Sequence, residues 1–230
     1  MKKYAISDIH GCNRTFLAML DRLAFSKADE LYLLGDYVDR GPDSKGVFDT
    51  IFRLQSEGYT VRCLRGNHEQ IVLRAQSDLT GLDNWLLSDG KVTADSFGVD
   101  SVQKIPEDYL AFMNGLDYYF EVDNFILVHA GLNFRLFDPL ADKRDLLVIR
   151  YWYGEMRYDW LNGRSVIHGH TPISRTDIEQ QCRDLGRMRY LDIDAGCVHN
   201  SLNKRLERGL GHLCAFDITE MQVIFQENVE

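Results

Sequence analysis

The chain has 230 residues, 45% of them hydrophobic and 27% charged, with 26 Lys plus Arg against 35 Asp plus Glu and a formal net charge of −9 at pH 7. This length suits one α/β domain over residues 1–230, able to bury enough surface to fold without disulfides or a structural metal. The acidic balance, with no basic run, excludes a general polyanion binder, so nucleic acid is not an expected partner. Cys12, Cys63, Cys182, Cys197 and Cys214 form no Cys-x-x-Cys pair, which argues against a disulfide scaffold and a thiolate zinc site and suits a reducing compartment. No apolar run approaches the roughly 18 residues of a membrane span, and no secretory leader is visible. The expectation is a cytoplasmic chain without a membrane partner.

Along the chain, Tyr4-Ala5-Ile6 reads as a short buried strand. Residues 15–23 carry Phe16, Leu17, Leu20 and Leu23 at helical spacing. Leu31-Tyr32-Leu33-Leu34 is a second strand closed by Gly35, and Val47, Ile51, Phe52 and Leu54 again repeat as a helix. Thr60-Val61-Arg62-Cys63-Leu64 is a third strand, stopped by Gly66. Strand–helix–strand–helix–strand predicts a parallel sheet with right-handed crossovers. Residues 82–115 read as helical and irregular. Two apolar runs, 118–122 and 125–129, flank a turn at Asp123-Asn124, and residues 165–168, 190–193, 213–216 and 222–225 are further short strands. The fold class is therefore α/β, with two packed mixed sheets and helices outside.

Polar residues gather where these strands end, the place at which open α/β sheets bind ligands. The strand ends read Ser7-Asp8-Ile9-His10-Gly11, Gly35-Asp36-Tyr37-Val38-Asp39-Arg40-Gly41, Arg65-Gly66-Asn67-His68-Glu69, His129-Ala130-Gly131 and His168-Gly169-His170-Thr171-Pro172. One such group is an ordinary loop with a helix cap. Five together require compensation, because converging carboxylates and imidazoles lose hydration and repel. Divalent cations supply it, and oxygen and nitrogen donors without thiolate suit Mn, Fe or Zn.

This set of motifs resembles the phosphoprotein phosphatases among the calcineurin-like metallophosphoesterases, in particular their compact bacterial and phage members. The likeness runs from Asp8 to about Gly196, with Ser7 where the family has glycine. It implies a four-layer α-β-β-α sandwich and two divalent metal ions, manganese foremost with iron and zinc as alternatives. Position by position, it implies Asp8, His10 and Asp36 at one ion, and Asp36, Asn67, His129 and His170 at the other. A hydroxide shared by the two ions would attack phosphorus. Arg40 and Arg150 would hold the phosphate, and His68, oriented by Asp39, would protonate the leaving group.

Three features sort the substrate. Pro172 stands where phosphodiesterases of the superfamily carry a second histidine. Asp39 is present, whereas relatives that cleave dinucleoside tetraphosphates usually lack it and tend to be longer. The expectation is thus a phosphomonoester hydrolase acting on a phosphorylated protein or peptide, at Ser/Thr and in an open cleft at Tyr. A dinucleoside polyphosphate hydrolase is the alternative, and a non-catalytic binding module a more distant one. The stretch Trp85-Leu86-Leu87-Ser88-Asp89-Gly90-Lys91-Val92-Thr93 departs from the family pattern at Ser88 and Asp89 and is expected to border the cleft. Glu69, His168, Asp192 and Asp194 read as supporting residues rather than ligands, and Tyr151-Trp152-Tyr153 as core.

Overall fold

The computed structural model describes residues 1–87, 89–199 and 209–230. The early alternation is as the sequence predicts: β1 (Lys3–Ile6), α1 (Asn13–Arg22), β2 (Glu30–Leu33), α2 (Ser44–Ser56), β3 (Thr60–Cys63) and α3 (Asn67–Ala75). The three strands are parallel, with Tyr4 opposite Leu31 and Leu31 opposite Val61. The stretch 82–115 contains most of α4 (Leu79–Leu87), all of α5 (Gly90–Phe97), a 3-10 turn over Val102–Lys104 and α6 (Glu107–Gly115). Then come β4 (Tyr119–Val122), β5 (Phe125–Val128), α7 (Lys143–Val148), α8 (Tyr158–Leu161), β6 (Ser165–His168), α9 (Arg175–Met188), β7 (Tyr190–Asp192), β8 (His212–Asp217) and β9 (Gln222–Glu227). The departure at Ser88 lies outside the described residues.

The strands form two sheets, ordered β3-β2-β1-β8-β9 and β4-β5-β6-β7. In the first, β8 runs antiparallel to β1 and β9 antiparallel to β8; in the second, β5, β6 and β7 are parallel and β4 folds back on β5. Successive strand residues enter different cores. Ile6, Leu31 and Leu33 pack with Phe16, Met19, Phe48 and Ile51 of the outer helices. Ala5, Tyr32 and Leu34 pack with Leu127, Ile167 and Leu191 of the second sheet. On that sheet's far side, Ile126, Val128 and Val166 join Leu146, Trp152 and Leu161. Both faces of each sheet are thus covered, which is why β5 and β6 are buried at every position and apolar without alternation, apart from Ser165 and His168. Burying a side chain such as Phe16 or Phe48 contributes about 1.5–3 kcal/mol.

The helix α9 has no counterpart in the sequence reading. It is largely polar and buries only Ile178 and Leu185, seven residues apart, so its apolar signal is a single thin stripe. Those two residues fill the end of the inter-sheet core beside β7 and β9.

Candidate active site

Backbone bonds tie the loops of each sheet together, and a backbone-to-side-chain bond links the loops of one sheet to those of the other. The Asp8 N–H donates to the Gly35 carbonyl at 3.3 Å and the His10 N–H to the Asp36 carbonyl at 2.9 Å. From the other sheet, the Gly169 N–H donates to the His129 carbonyl at 2.8 Å, and the His170 N–H reaches Asp8 Oδ2 at 3.0 Å. Among the described residues, 13 non-glycine residues have a left-handed φ, and six of them are here: Asp8, His10, Asp36, Asp39, Arg40 and His170. Each costs on the order of 1–3 kcal/mol, so the surrounding bonds must over-determine the loops.

Much of that determination comes from Glu69. Fully buried at the start of α3, its carboxylate accepts from the N–H groups of Asp36 (2.9 Å), Tyr37 (2.8 Å), Val38 (3.3 Å) and Gly66 (2.9 Å). Burial and the nearby Asp36 push its carboxyl up to about 7, while the amide bonds pull the other way. It acts on the shape of the loop, as the sequence reading holds. Gly66 is required by close approach: a Cβ there would lie 2.1 Å from Asp36 Oδ1 and 2.3 Å from the Asp36 nitrogen.

Asp36 is the centre of the cluster. Its Oδ2 lies 3.4 Å from His10 Nε2 and 3.9 Å from His68 Nε2, and its Oδ1 lies 3.5 Å from His129 Nε2. The His68 N–H, at the N-terminus of α3, donates to Oδ1 at 3.0 Å. Burial alone would raise the Asp36 carboxyl, but the imidazoles of His129, His68, His10 and His170 outweigh it and hold it well below the usual carboxylate range. Asp8 is raised, chiefly by burial, and sits 4.0 Å from His10 Nε2. His129 and His170 face each other with ring centroids 5.1 Å apart.

Two tautomers are set by the backbone. His10 Nδ1 donates to the Val38 carbonyl and His129 Nδ1 to the Leu34 carbonyl, each at 2.9 Å, which turns the Nε2 lone pairs inward. His129 Nε2 then faces two more acceptors, Asn67 Oδ1 at 2.9 Å and Asp36 Oδ1. Three acceptor atoms converging in this way fit a cation. Burial lowers His10 well below its ordinary value and His170 to about 3, so both offer a lone pair with little competition from protons. Two triads, His10 with Asp36 and His68, and Asp36 with His129 and His170, have donor atoms within 4.8 Å of one another. Divalent cations fit this oxygen and nitrogen donor set.

His68 differs from its neighbours. Its Nδ1 donates to Asp39 Oδ2 at 2.7 Å, and although burial works against the charge, Asp36 and Asp39 raise its pKa. Arg40 lies between the imidazoles, with Nη1 3.0 Å from His10 Nε2 and Nη2 3.2 Å from His68 Nε2. Arg150 stands apart at the rim, exposed, donating to Thr171 Oγ1 at 2.8 Å. So nine of the ten residues singled out in the sequence converge, and Arg150 lies beside them.

Trp85 and Thr93 behave differently from expectation. They do not border a cleft; they are 1% and 0% exposed, and both donate to Asp39 Oδ1, at 3.2 and 2.6 Å. Their spacing in the sequence was visible, but not that it serves the carboxylate behind His68. His168, Asp192 and Asp194 have the supporting places expected. His168 Nε2 meets the Tyr153 hydroxyl at 3.2 Å, and Asp192 Oδ1 accepts from the Asp194 N–H at 2.9 Å. Of the aromatic trio, Trp152 is buried and Tyr153 stacks on Tyr190 at 4.1 Å, whereas Tyr151 is 83% exposed.

Residues 1–200 match the calcineurin-like phosphoesterase family. This chain belongs to that family. A symmetrical bis(5'-nucleosyl)-tetraphosphatase of Nitrosomonas europaea is 33% identical over 138 residues, 57% of this chain and 45% of that protein. The enzyme of the same name from Wigglesworthia glossinidia brevipalpis is 43% identical over 70 residues, 30% of this chain and 25% of that one. The chain thus aligns with less than half of the length of these relatives. Among solved structures, a candidate diadenosine tetraphosphatase superposes with a TM-score of 0.71 at 19% identity, covering 100% of this chain and 94% of its own, which establishes the likeness of fold. None of the helices among the described residues is long and apolar enough to cross a membrane.

These relatives overturn the expectation of a protein phosphatase acting on a phosphorylated protein or peptide, since the names they carry are those of dinucleoside tetraphosphate hydrolases. The physical reason lies in Asp39. Its carboxylate is bound by Trp85, Thr93 and His68, so its presence fixes a histidine and does not report how poor the leaving group is.

Proposed function

We propose that this chain hydrolyses dinucleoside polyphosphates of the bis(5'-nucleosyl)-tetraphosphate kind, at a centre where Asp8, His10, Asp36, Asn67, His129 and His170 hold two divalent ions, manganese, iron or zinc by donor type. The observation that carries the centre is Asp36, one carboxylate whose two oxygens face imidazole nitrogens on opposite sides at 3.4 and 3.5 Å. The names of the relatives support the substrate. Bound there, the ions would withdraw charge from the phosphate oxygens and make water a stronger nucleophile at neutral pH.

The chain's own residues do the rest. Arg40, fixed beside two imidazoles, presents its guanidinium to phosphate oxygens, a bidentate match for their geometry. Arg150 at the rim meets the phosphate from the other side. Water adds to phosphorus and releases a proton to solvent, and the bond to the bridging oxygen breaks, leaving its electron pair on that oxygen. His68 stands ready to give the departing oxygen a proton from Nε2, while Asp39 at Nδ1 stabilises the imidazolium before transfer. Glu69 holds the Asp36 loop against displacement.

A competition assay tests the reading. With manganese, equal concentrations of diadenosine tetraphosphate and a phosphopeptide should yield ADP as the main product. Phosphate release from the peptide with the dinucleotide left intact would overturn it.

A further inference from the structure

The chain is acidic, yet one cavity is walled by cations. It measures about 420 Å³, within the roughly 300–1,000 Å³ of small-molecule sites, and Asn67 is part of its lining. Two helices build its walls. On α3, Asn67, Ile71 and Arg74 fall at helical spacing, so one stripe runs outward from the metal ligands for about 10 Å. Facing it, α7 and its start contribute Lys143, Arg144 and Leu147.

The cations of this trough are held in reserve. Among the described residues neither Arg74, Lys143 nor Arg144 makes an ion pair, whereas several other exposed cations do, including Lys45 with Asp49, Lys91 with Asp95 and Arg135 with Glu155. Lys143 instead lies over the Tyr118 ring at 4.7 Å, with Arg65 also against that ring at 5.0 Å and anchored to the Asn114 carbonyl and to Gln70. Three unpaired positive groups around a half-enclosed space in a chain of net charge −9 create a local field that attracts an anion longer than a single phosphate.

We propose that this trough between α3 and α7 is the subsite for the distal phosphates of the substrate, the part of a polyphosphate chain that lies beyond the reacting phosphorus. Arg74, Lys143 and Arg144 bind that anionic chain, and Ile71 and Leu147 offer an apolar floor to whatever the phosphates carry. The inference rests on the proposed reading only in that a phosphate occupies the centre next to Asn67. It names what selects a polyphosphate over a monoester.

The test uses hydrolysis of p-nitrophenyl phosphate as a reporter and compares inhibition by orthophosphate and by inorganic tripolyphosphate at fixed free metal. In the parent protein, tripolyphosphate should inhibit more tightly than orthophosphate. In Arg74→Ala, and separately in Lys143→Ala combined with Arg144→Ala, that advantage should shrink about tenfold for each cation lost, the size of one charge-assisted hydrogen bond. Using a ratio of inhibition constants removes any general change in activity, and all three positions are exposed, so the variants should fold. An unchanged ratio in both variants overturns the subsite. If the parent left diadenosine tetraphosphate intact but showed the ratio and its loss, the substrate reading would fail and the trough would stand. Cleavage of the dinucleotide with an unchanged ratio would separate the two the other way.

Discussion

His10 and His170 on the one hand and His68 on the other are all sheltered imidazoles beside one carboxylate, yet their surroundings push them in opposite directions. Burial drives His10 well below its ordinary value and His170 to about 3. His68 is raised, because the contributions of Asp36 and Asp39 outweigh the same burial. Between His10 and His68 the difference is what Nδ1 meets. His10 donates to a neutral backbone carbonyl, which fixes its tautomer without favouring a charge; His68 donates to a carboxylate, which does both. Histidines a few ångströms apart thereby differ in proton affinity, lowered at His10 and His170 and raised at His68, the difference on which the proposed roles of ligand and acid rest.

The strongest way to break this division is to remove the group common to both sides. Asp36→Asn should lower cation affinity by at least about 100-fold, more than loss of a group that merely supports a ligand, and turnover should fall with it. Metal content after dialysis, by elemental analysis, checks this, and full retention of metal would contradict the shared role. Next in size, His68→Asn should keep its metal and lose about 100-fold in turnover of an alkyl phosphate, whose leaving oxygen needs a proton. Its loss on a dinucleoside polyphosphate should be smaller, because that leaving group is a weaker base. Equal losses on both substrates would point to positioning rather than proton supply. The smallest effect is expected from Thr93→Val, which deletes one donor to Asp39. Its stability should drop by about 1 kcal/mol, read from denaturant unfolding, with turnover reduced a few-fold and metal retained.

Much of this was legible in the sequence, for identifiable reasons. Strands covered on both faces give unbroken apolar runs, and polar residues placed where such runs stop give the motifs at Asp8, Asp36, Asn67, His129 and His170. What escaped was whatever depends on partners far away in the chain. Ile178 and Leu185 are too sparse a stripe to announce α9. Trp85 and Thr93 serve Asp39 across 46 and 54 residues, a link that no local pattern encodes. The same distance effect misdirected the substrate reading, since Asp39 looked like a statement about the leaving group until its partners were known.

The backbone bond that joins Gly169 to His129, and the bond from the His170 N–H to the Asp8 carboxylate, bear on how the protein comes into being. Of the six residues proposed to hold ions, five precede the sixth strand and His170 follows it, so the donor set that shares Asp36 with His129 is completed only when that strand has been made and docked. An ion at the proposed second position would therefore be held fully only after both sheets have met. An ion bound at the proposed centre would favour the assembled pair of sheets over any partly opened form by mass action, tying the stability of the native molecule to ion supply.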